Sequence, residues 1–389
     1  MKTIKEMKLK QKKVLLRLDL NVPLKNGKIQ DDYRIKQSIK TIQKILSQQP
    51  KQLIIMSHLG RPKGRDEELS MKPIAKKLAQ LIERPIYLHE DLTKPIENPN
   101  PIVLLENLRF YEGEKKGSKR FARQLASFGE IYINDAFGVS HRKDASVYEL
   151  AKLLPGTIGP LIRKELKNVH LNHKKPITVI FGAAKIKDKI KLLKTLLDKV
   201  DKVLLGGAVV FTFYKAMNLE VGKSLVEDEM LIEAKKILKK YSSKIILPVD
   251  IIITKPSNIK KFNKLTVSER KKLLKIVDFD IIPKNQAGYD IGPKSIKLFK
   301  AIINNSKTII WNGPLGLFEI KPFDKSTNEI TKYLAMNKKT TIVCGGDTAS
   351  AIRKTAYAEE ITHISTGGGA SLELLGGKKL PAIKVLENN

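Results

Sequence analysis

The stretch VCGGDTAS, Val343 to Ser350, follows the apolar run TTIV and precedes AIRKTA. It reads as a buried strand that breaks at two glycines into a helix opening on Asp347 and Thr348. Glycines at such a turn let backbone amides approach an anion, and the helix N-terminus adds partial positive charge. The loop has the form of a phosphate cradle, yet it contains no lysine. The cation that would complete it has to come from another part of the chain.

Short apolar runs of strand length alternate with longer amphipathic segments from end to end, which predicts an α/β fold of parallel sheets covered by helices. In the first half the runs are VLLRLD (14–19), LIIM (53–56), IVLL (102–105) and IYIN (131–134), each followed by a polar, Gly-bearing loop and a helical pattern. Between the first two, Asp31 or Asp32 can cap a helix with Ile35, Ile39, Ile42 and Leu46 on one face. The second half repeats the scheme with ITVIF (177–181), KVLL (202–205), KIIL (244–247), TIIW (308–311), TTIV (340–343) and HIS (363–365). A boundary is expected over 155–176, where LLPGTIGP leads into IRKELKNVHLNHKK, a charged helical stretch ended by Pro176. That helix is expected to connect two domains. In open α/β sheets ligands bind beyond the carboxyl ends of the strands, so the loops after these runs should carry function in both halves. Two such edges facing each other would form a cleft.

A chain of 389 residues with 42% hydrophobic content can bury the cores of about two domains. Its net charge of +33 invites a nucleic-acid or anionic-membrane reading. Against this, lysines are spread over nearly every predicted helix, and aromatic residues, 6% of the chain, do not interleave with them as stacking platforms would. The charge reads as a solvated lysine-rich surface, with no dedicated nucleic-acid partner. No run approaches a membrane span, and the opening MKTIKEMKLKQKK lacks the apolar segment of a secretory signal, so a cytoplasmic chain without a membrane partner is expected. The single cysteine, Cys344, excludes an internal disulfide and a thiolate metal site.

In the first half, loops after strands carry Asp19 and Asn21 (RLDLNVP), Arg34 (DDYRI), His58 and Arg61 (SHLGRPKG), Arg109 (ENLRF) and Arg142 (HRKD). The planar fork of arginine pairs with carboxylate or phosphate oxygens in two contacts. Any one of these residues also fits a solvated surface group; their recurrence after successive strands favours a small, multiply anionic ligand. In the second half, FGAAKIKDK sets Lys185 and Lys189 at i, i+4, which predicts both ammonium groups on one face near a helix start. Glycine-bearing loops follow strands at GGAVVF (206–211), CGGDT (344–348) and STGGGAS (365–371). Asp347 beside bound polyphosphate would repel it unless a hard cation such as magnesium lay between, although Asp also caps helices well. In WNGPLGLFE (311–319), Asn312 and Glu319 suit the hydroxyls of a ribose, and the same stretch also reads as a Pro-Gly turn.

These motifs, in this order, resemble the phosphoglycerate kinase family. RLDLNVPL, DDYRI, SHLGRPKG, LLENLRF, NDAFG, KIKDK, EVGKSLVE, LPVD, DIGP, WNGPLGLFE, GGDT and HISTGGGASLELL match the family's positions from about residue 12 onward. The resemblance implies two Rossmann-like domains joined by a hinge helix, usually in a monomer. Phosphoglycerate would sit on an N-terminal domain, 1–165, and Mg-nucleotide on a C-terminal one, 177–376, with the tail 377–389 packing back on the first. By the family pattern Asp19, Asn21, Arg34, His58, Leu59, Gly60, Arg61, Arg109 and Arg142 bind 3-phosphoglycerate or 1,3-bisphosphoglycerate. Lys189, Gly206, Gly207, Gly288, Asn312, Glu319, Gly345, Gly346, Asp347 and Thr348 hold ATP or ADP, with Asp347 as the Mg2+ ligand. Lys185, Arg34 and the amides around Gly346 and Gly368 stabilise the phosphoryl group in flight. The lysines absent from CGGDT are thus Lys185 and Lys189.

The implied reaction is reversible, Mg-dependent phosphoryl transfer between ATP and 3-phosphoglycerate in glycolysis and gluconeogenesis. The acceptor is a carboxylate, already ionised near neutral pH, so no general base is needed. Water must be excluded, which implies domain closure. The chain departs from the family pattern at Ala183, Ala208, Cys344 and Tyr289, mostly where backbone would approach the nucleotide, so altered or weaker nucleotide binding is expected. Asp144 stands where a histidine is usual. Two other readings, a nucleic-acid-binding protein on an old kinase scaffold and a Rossmann dehydrogenase, lack stacking aromatics and a G-x-G-x-x-G after a strand, respectively.

Overall fold

Runs such as Val14 to Arg17 and Leu53 to Met56 are buried along their whole length, as strands covered by helices on both faces must be. In the computed structural model, which describes residues 1–262 and 264–387, the first such strand is β1 (Lys13–Arg17). A two-stranded ribbon, β2 (Leu24–Lys25) and β3 (Lys28–Ile29), follows. Next come β4 (Gln52–Met56), β5 (Tyr87–His89), β6 (Ile102–Leu105), β7 (Ile131–Asn134) and β8 (Gly156–Ile158). They form a six-stranded sheet in the order β5-β6-β4-β1-β7-β8, parallel throughout. The order reverses at β1, so the loop after β1 lies at a switch point of the kind that receives ligands.

This sheet belongs to one of two compact units, Met1–Lys167 with the C-terminal segment from Lys378; the other spans Asn168–Gly377. In the first unit, the helix Tyr33–Leu46 buries Ile35, Ile42 and Ile45. Neither aspartate caps it as expected from sequence. Asp32 occupies the capping position without a side-chain cap bond and instead pairs with Lys36 and Lys77 at 3.0 and 3.1 Å. Asp31 accepts the Tyr33 amide at 2.9 Å, closing the turn that precedes the helix. The helix Pro381–Glu387 packs within the same unit: the Ala382 amide donates to Ser140 O at 3.2 Å, and Ala382 joins Ala136, Val139 and Val147 in a small apolar cluster. The last two residues of the tail 377–389 lie outside the described residues.

In the second unit β9 (Ile177–Gly182), β10 (Lys202–Gly206) and β11 (Ile245–Ile246) are followed by β12 (Asp250–Thr254), β13 (Lys275–Asp278) and β14 (Ala287–Ile291). Then come β15 (Thr308–Asn312), β16 (Thr340–Cys344) and β17 (His363–Ile364). The main sheet runs β11-β10-β9-β15-β16-β17 and is parallel. This is the doubly wound order 3-2-1-4-5-6, with its switch point between β9 and β15. The predicted α/β class holds for both units. The small antiparallel sheet β13-β12-β14 was not anticipated, because β13 presents a mostly exposed, charged KIVD face that lacks an apolar run. The connector helix is shorter than expected: it spans Pro160–Asn168, and His173 Nε2 lies 2.9 Å from the Asn168 carbonyl, tying off its end.

Gly156 fits beneath the tail helix because it has no side chain. A Cβ there would lie 2.8 Å from Tyr132 O and 3.1 Å from Leu386 Cδ2. Gly156→Ala is expected to lower stability by about 1–3 kcal/mol through overpacking, measured as a shift in the urea midpoint.

Candidate active site

At the carboxyl edge of the first sheet, β1 ends at Arg17, two residues before Asp19 and four before Asn21. Asp19 is buried, and its Oδ1 accepts from the Asn21 amide at 3.2 Å and from Arg34 Nη1 at 2.9 Å. Arg34 Nη1 also reaches Asn21 O at 3.2 Å, and Asn21 Oδ1 accepts the Gly60 amide at 2.9 Å. The loop after β4 is pinned in turn by Asn107, which accepts from the Leu59 amide at 3.1 Å and donates to Leu59 O at 2.8 Å. Arg109 Nη1 donates to Gly60 O at 2.6 Å. Asp19, Asn21, Arg34, Leu59, Gly60 and Arg109 thus form one bonded lattice, while Arg61 is exposed at its margin.

Behind this lattice lies Arg17, fully buried, which sequence reasoning did not select. Its Nε donates to Ser146 Oγ at 2.8 Å, Nη1 to Leu18 O, and Nη2 lies 3.2 Å from His58 Nδ1. Glu114, also fully buried, lies 3.7 Å from Arg17 and accepts from Ser146 Oγ at 2.5 Å and the Ser146 amide at 3.0 Å. The available signal was a charged residue inside the apolar run VLLRLD, since a buried charge demands a partner. A guanidinium only donates, so His58 Nδ1 must accept and the ring proton resides on Nε2. Burial, and then the charges of Arg17, Arg109, Arg34 and Arg142, hold the His58 pKa well below its usual value. The imidazole is therefore neutral. The pKa of Glu114 is raised by burial, with the Arg17 charge opposing. Arg109 Nε, Arg142 Nε and Asp144 Oδ2 are buried with no hydrogen-bond partner among the described residues. Unpaired buried donors of this kind suit an arriving anion.

In the second unit a cavity of about 920 Å³ opens at the carboxyl ends of β9, β15 and β16. Its wall includes Lys189, Gly207, Gly288, Asn312, Glu319, Gly345, Gly346, Asp347, Thr348 and Gly368. Lys189 Nζ donates to Asn312 Oδ1 at 3.0 Å, and Asn312 Nδ2 to Cys344 O at 3.0 Å. Burial lowers the Lys189 pKa, opposed by the charges of Asp347 and Asp188. Thr348 Oγ1 accepts the Gly313 amide at 2.6 Å, fixing β15 against the helix Gly346–Arg353. Gly313 has φ +94°, and a Cβ on it would lie 1.6 Å from Gly182 O, so only glycine lets these two strand ends meet. Gly345, at φ +93°, opens that helix, and a Cβ on Gly346 would meet nothing within 4 Å, which leaves its backbone facing open space. Asp347 is exposed in the first turn. Ala183 and Ala208 line the cavity, and they also pack in or against the apolar cluster behind it.

One expectation from the spacing is corrected, and two of the expected residues lie apart from the cavity wall. Lys185 and Lys189 do not share a helix face: Lys189 closes a 3-10 turn, Lys187–Lys189, ahead of the helix Ile190–Lys199. Lys185, exposed in the loop after β9, lies outside the cavity wall among the described residues. Gly206 is the last residue of β10 and also lies outside that wall, packed against Leu315, 2.3 Å from a notional Cβ. Among the described residues no group of three or more His, Cys, Asp or Glu side chains is placed to hold a metal ion. A single carboxylate beside glycine amides suits Mg2+ delivered with nucleotide phosphates rather than a protein cage.

Two doubly wound units, one with a guanidinium lattice and one with a glycine-lined cavity at its switch point, define an α/β protein built for phosphorylated, anionic ligands. The family model described as phosphoglycerate kinase matches residues 4–378. Phosphoglycerate kinase of Finegoldia magna is 43% identical, with 99% of each chain covered; that of Dictyoglomus turgidum is 42% identical, covering 100% of this chain and 99% of the relative. Among solved structures, phosphoglycerate kinase from Coxiella burnetii superposes with a TM-score of 0.85 at 35% identity, covering 100% of this chain and 99% of that one. The enzyme from Pyrococcus horikoshii OT3 gives 0.85 at 27% identity, covering 100% and 98%. The chain belongs to the phosphoglycerate kinase family.

Breaking the Arg17–Glu114 pair strands a buried charge. Glu114→Gln is expected to lower stability by about 3 kcal/mol or more, with part recovered in Arg17→Met/Glu114→Gln, as read by urea denaturation. Asp290, on the cavity wall, accepts from the Ile291 amide at 2.9 Å and the Ser326 amide at 3.1 Å and bonds Ser326 Oγ. Burial raises its pKa to about 7. The folded state then holds a proton that the unfolded chain has lost, so this contribution is present near pH 4 and disappears as pH rises through about 7. The stability difference between wild type and Asp290→Asn should shrink over that window in urea titrations at successive pH values.

Proposed function

We propose that the chain transfers a phosphoryl group reversibly between ATP and the carboxylate of 3-phosphoglycerate, giving ADP and 1,3-bisphosphoglycerate, as the kinase step of glycolysis and gluconeogenesis. The observation that carries this is charge without a partner: two buried guanidinium Nε groups, on Arg109 and Arg142, that nothing among the described residues satisfies. The phosphoryl end of phosphoglycerate fills that demand. Arg61 adds its fork from the margin, and Asp19 and Asn21 take the hydroxyl. His58 donates from Nε2. Nucleotide occupies the cavity of the second unit, its phosphates against the amides of Gly345, Gly346 and Gly368 and near Lys189, its ribose near Asn312 and Glu319. Asp347 would hold a Mg2+ arriving with the nucleotide, which supplies charge neutralisation on the phosphate oxygens.

The acceptor carboxylate is ionised at neutral pH, so transfer requires positioning and charge cancellation rather than a base. Arg34, Lys185 and the amides around Gly346 and Gly368 stabilise the oxygens of the group in flight. Lys185 is exposed, and its side chain is free to swing to the phosphoryl group when both substrates are present. Water is kept from the acyl phosphate by closure of the two domains. The chain works as a monomer in the cytoplasm. Among the described residues no helix is long and apolar enough to cross a membrane.

A coupled assay of ATP consumption with 3-phosphoglycerate tests the reading. Wild type should turn over, Lys185→Ala should lose most of kcat, on the order of 100-fold, with its melting temperature retained, and Arg142→Ala should chiefly raise KM for phosphoglycerate. Absence of phosphoglycerate-dependent ATP consumption, or unaltered turnover in Lys185→Ala, contradicts it.

A further inference from the structure

The segment that carries Lys185 and Lys189 is held by a carboxylate from elsewhere in the chain. Glu227 is 7% exposed. Its neighbours Asp228 and Glu229 pair with Lys215 at 2.7 Å and with Lys187 at 3.7 Å, whereas Glu227 itself makes no ion pair among the described residues. A buried carboxylate without a cation needs hydrogen-bond donors, and Glu227 finds them in backbone: its Oε2 accepts from the Ile186 amide and from the Lys187 amide, the latter at 3.4 Å. The Glu227 amide in turn donates to Thr212 Oγ1 at 3.2 Å, a buried hydroxyl of the helix Val209–Ala216.

Ile186 is the capping position of the 3-10 turn Lys187–Lys189, and its own side chain supplies no cap. Amides at the start of such a turn have no partner within it. Glu227, 41 positions further along the chain, supplies the acceptor. The loop is also fixed upstream, where the Ala183 amide donates to Gly206 O at 3.3 Å and Ala183 O accepts the Val209 amide at 2.9 Å. Ala184 and Lys185 thus bridge two backbone anchors. Downstream, the Lys189 amide donates to Ile186 O at 2.9 Å and Lys189 Nζ to Asn312 Oδ1 at 3.0 Å, so the second anchor also sets where Lys189 meets the cavity.

We propose that Glu227 is a positioning residue for phosphoryl transfer: its carboxylate caps the turn between Lys185 and Lys189 and fixes the backbone from which both ammonium groups reach the nucleotide phosphates. The inference rests on the roles given to Lys185 and Lys189 under the proposed function. A long lysine side chain searches a small volume when its backbone is held and a large one when it is loose, and a misplacement of about 1 Å can cost on the order of 100-fold in rate. Removing the Glu227 oxygens leaves two amides without their acceptor and lets the loop shift. The loss falls on kcat through Lys185 and on the nucleotide KM through Lys189, while KM for phosphoglycerate, bound in the other unit, is unchanged.

Glu227→Ala should lower kcat about tenfold, and Glu227→Gln, which keeps one acceptor oxygen, should recover most of it. In a Lys185→Ala background the same Glu227→Ala change should alter kcat by less than about twofold, because the group it positions is gone. A merely structural role would lower kcat by the same factor in both backgrounds. That result, or no loss at all, overturns the inference alone; unaltered turnover in Lys185→Ala overturns the role of Lys185 and the inference with it. Hydrogen exchange on the ligand-free wild type gives a test without any variant. The Ile186 amide should exchange at least about tenfold more slowly than the Lys185 amide, which has no acceptor among the described residues. Equal rates overturn the proposal even where Glu227→Ala fails to fold.

Discussion

A crowd of like charges around one neutral ring governs the first unit. Arg17, Arg34, Arg109 and Arg142 all act on buried His58, and such an assembly is stable only while carboxylates offset part of it. Glu114 stands behind Arg17, Asp19 holds Arg34, and Asp144 lies within range of Arg109. The compensation is partial, since Arg109 and Arg142 each keep a buried nitrogen with no hydrogen-bond partner among the described residues. Buried donors left in this state carry a desolvation cost that a bound anion would offset.

The second unit meets the same problem of holding an anion with backbone in place of guanidinium. Its sheet order puts the ends of β9 and β15 side by side, and glycine at 182 and 313 lets those ends approach closely. Lys189 and Asn312 are bonded across the same junction. A cation held by an amide is a fixed charge rather than a swinging one, and the helix Gly346–Arg353 opens beside it. CGGDT has no lysine of its own, and Lys189, which follows β9 two strands away from β16, stands on the same cavity wall. Lys185, exposed in the loop after β9, lies outside that wall.

The sequence made the parallel sheets legible because their strands are continuous apolar runs buried on both faces, as in LIIM and IVLL. Strands as short as β5 and β8, and the antiparallel β12 to β14, escaped because three to five residues, whether buried throughout as in β8 and β12 or mixed as in β5 and β13, are too few to carry a period of their own. The arginines were visible as recurring loop residues, and their convergence follows from the parallel order. Arg17 was hidden inside a strand, where only its partners Ser146 and Glu114, more than 90 residues away in sequence, explain it. The spacing of Lys185 and Lys189 misled for a local reason: i, i+4 has meaning only in a helix, and the chain there is a loop followed by a 3-10 turn.

Burial, reinforced by the guanidinium crowd, keeps His58 neutral, and the Arg17 contact puts its proton on Nε2. Long-range proton–nitrogen correlation spectra of the ligand-free protein, labelled at histidine and titrated from pH 8 to about 5, test it directly. His58 should retain the pattern of an Nε2–H imidazole throughout. An imidazolium signal for His58 at pH 6, or a proton on Nδ1, would contradict the account.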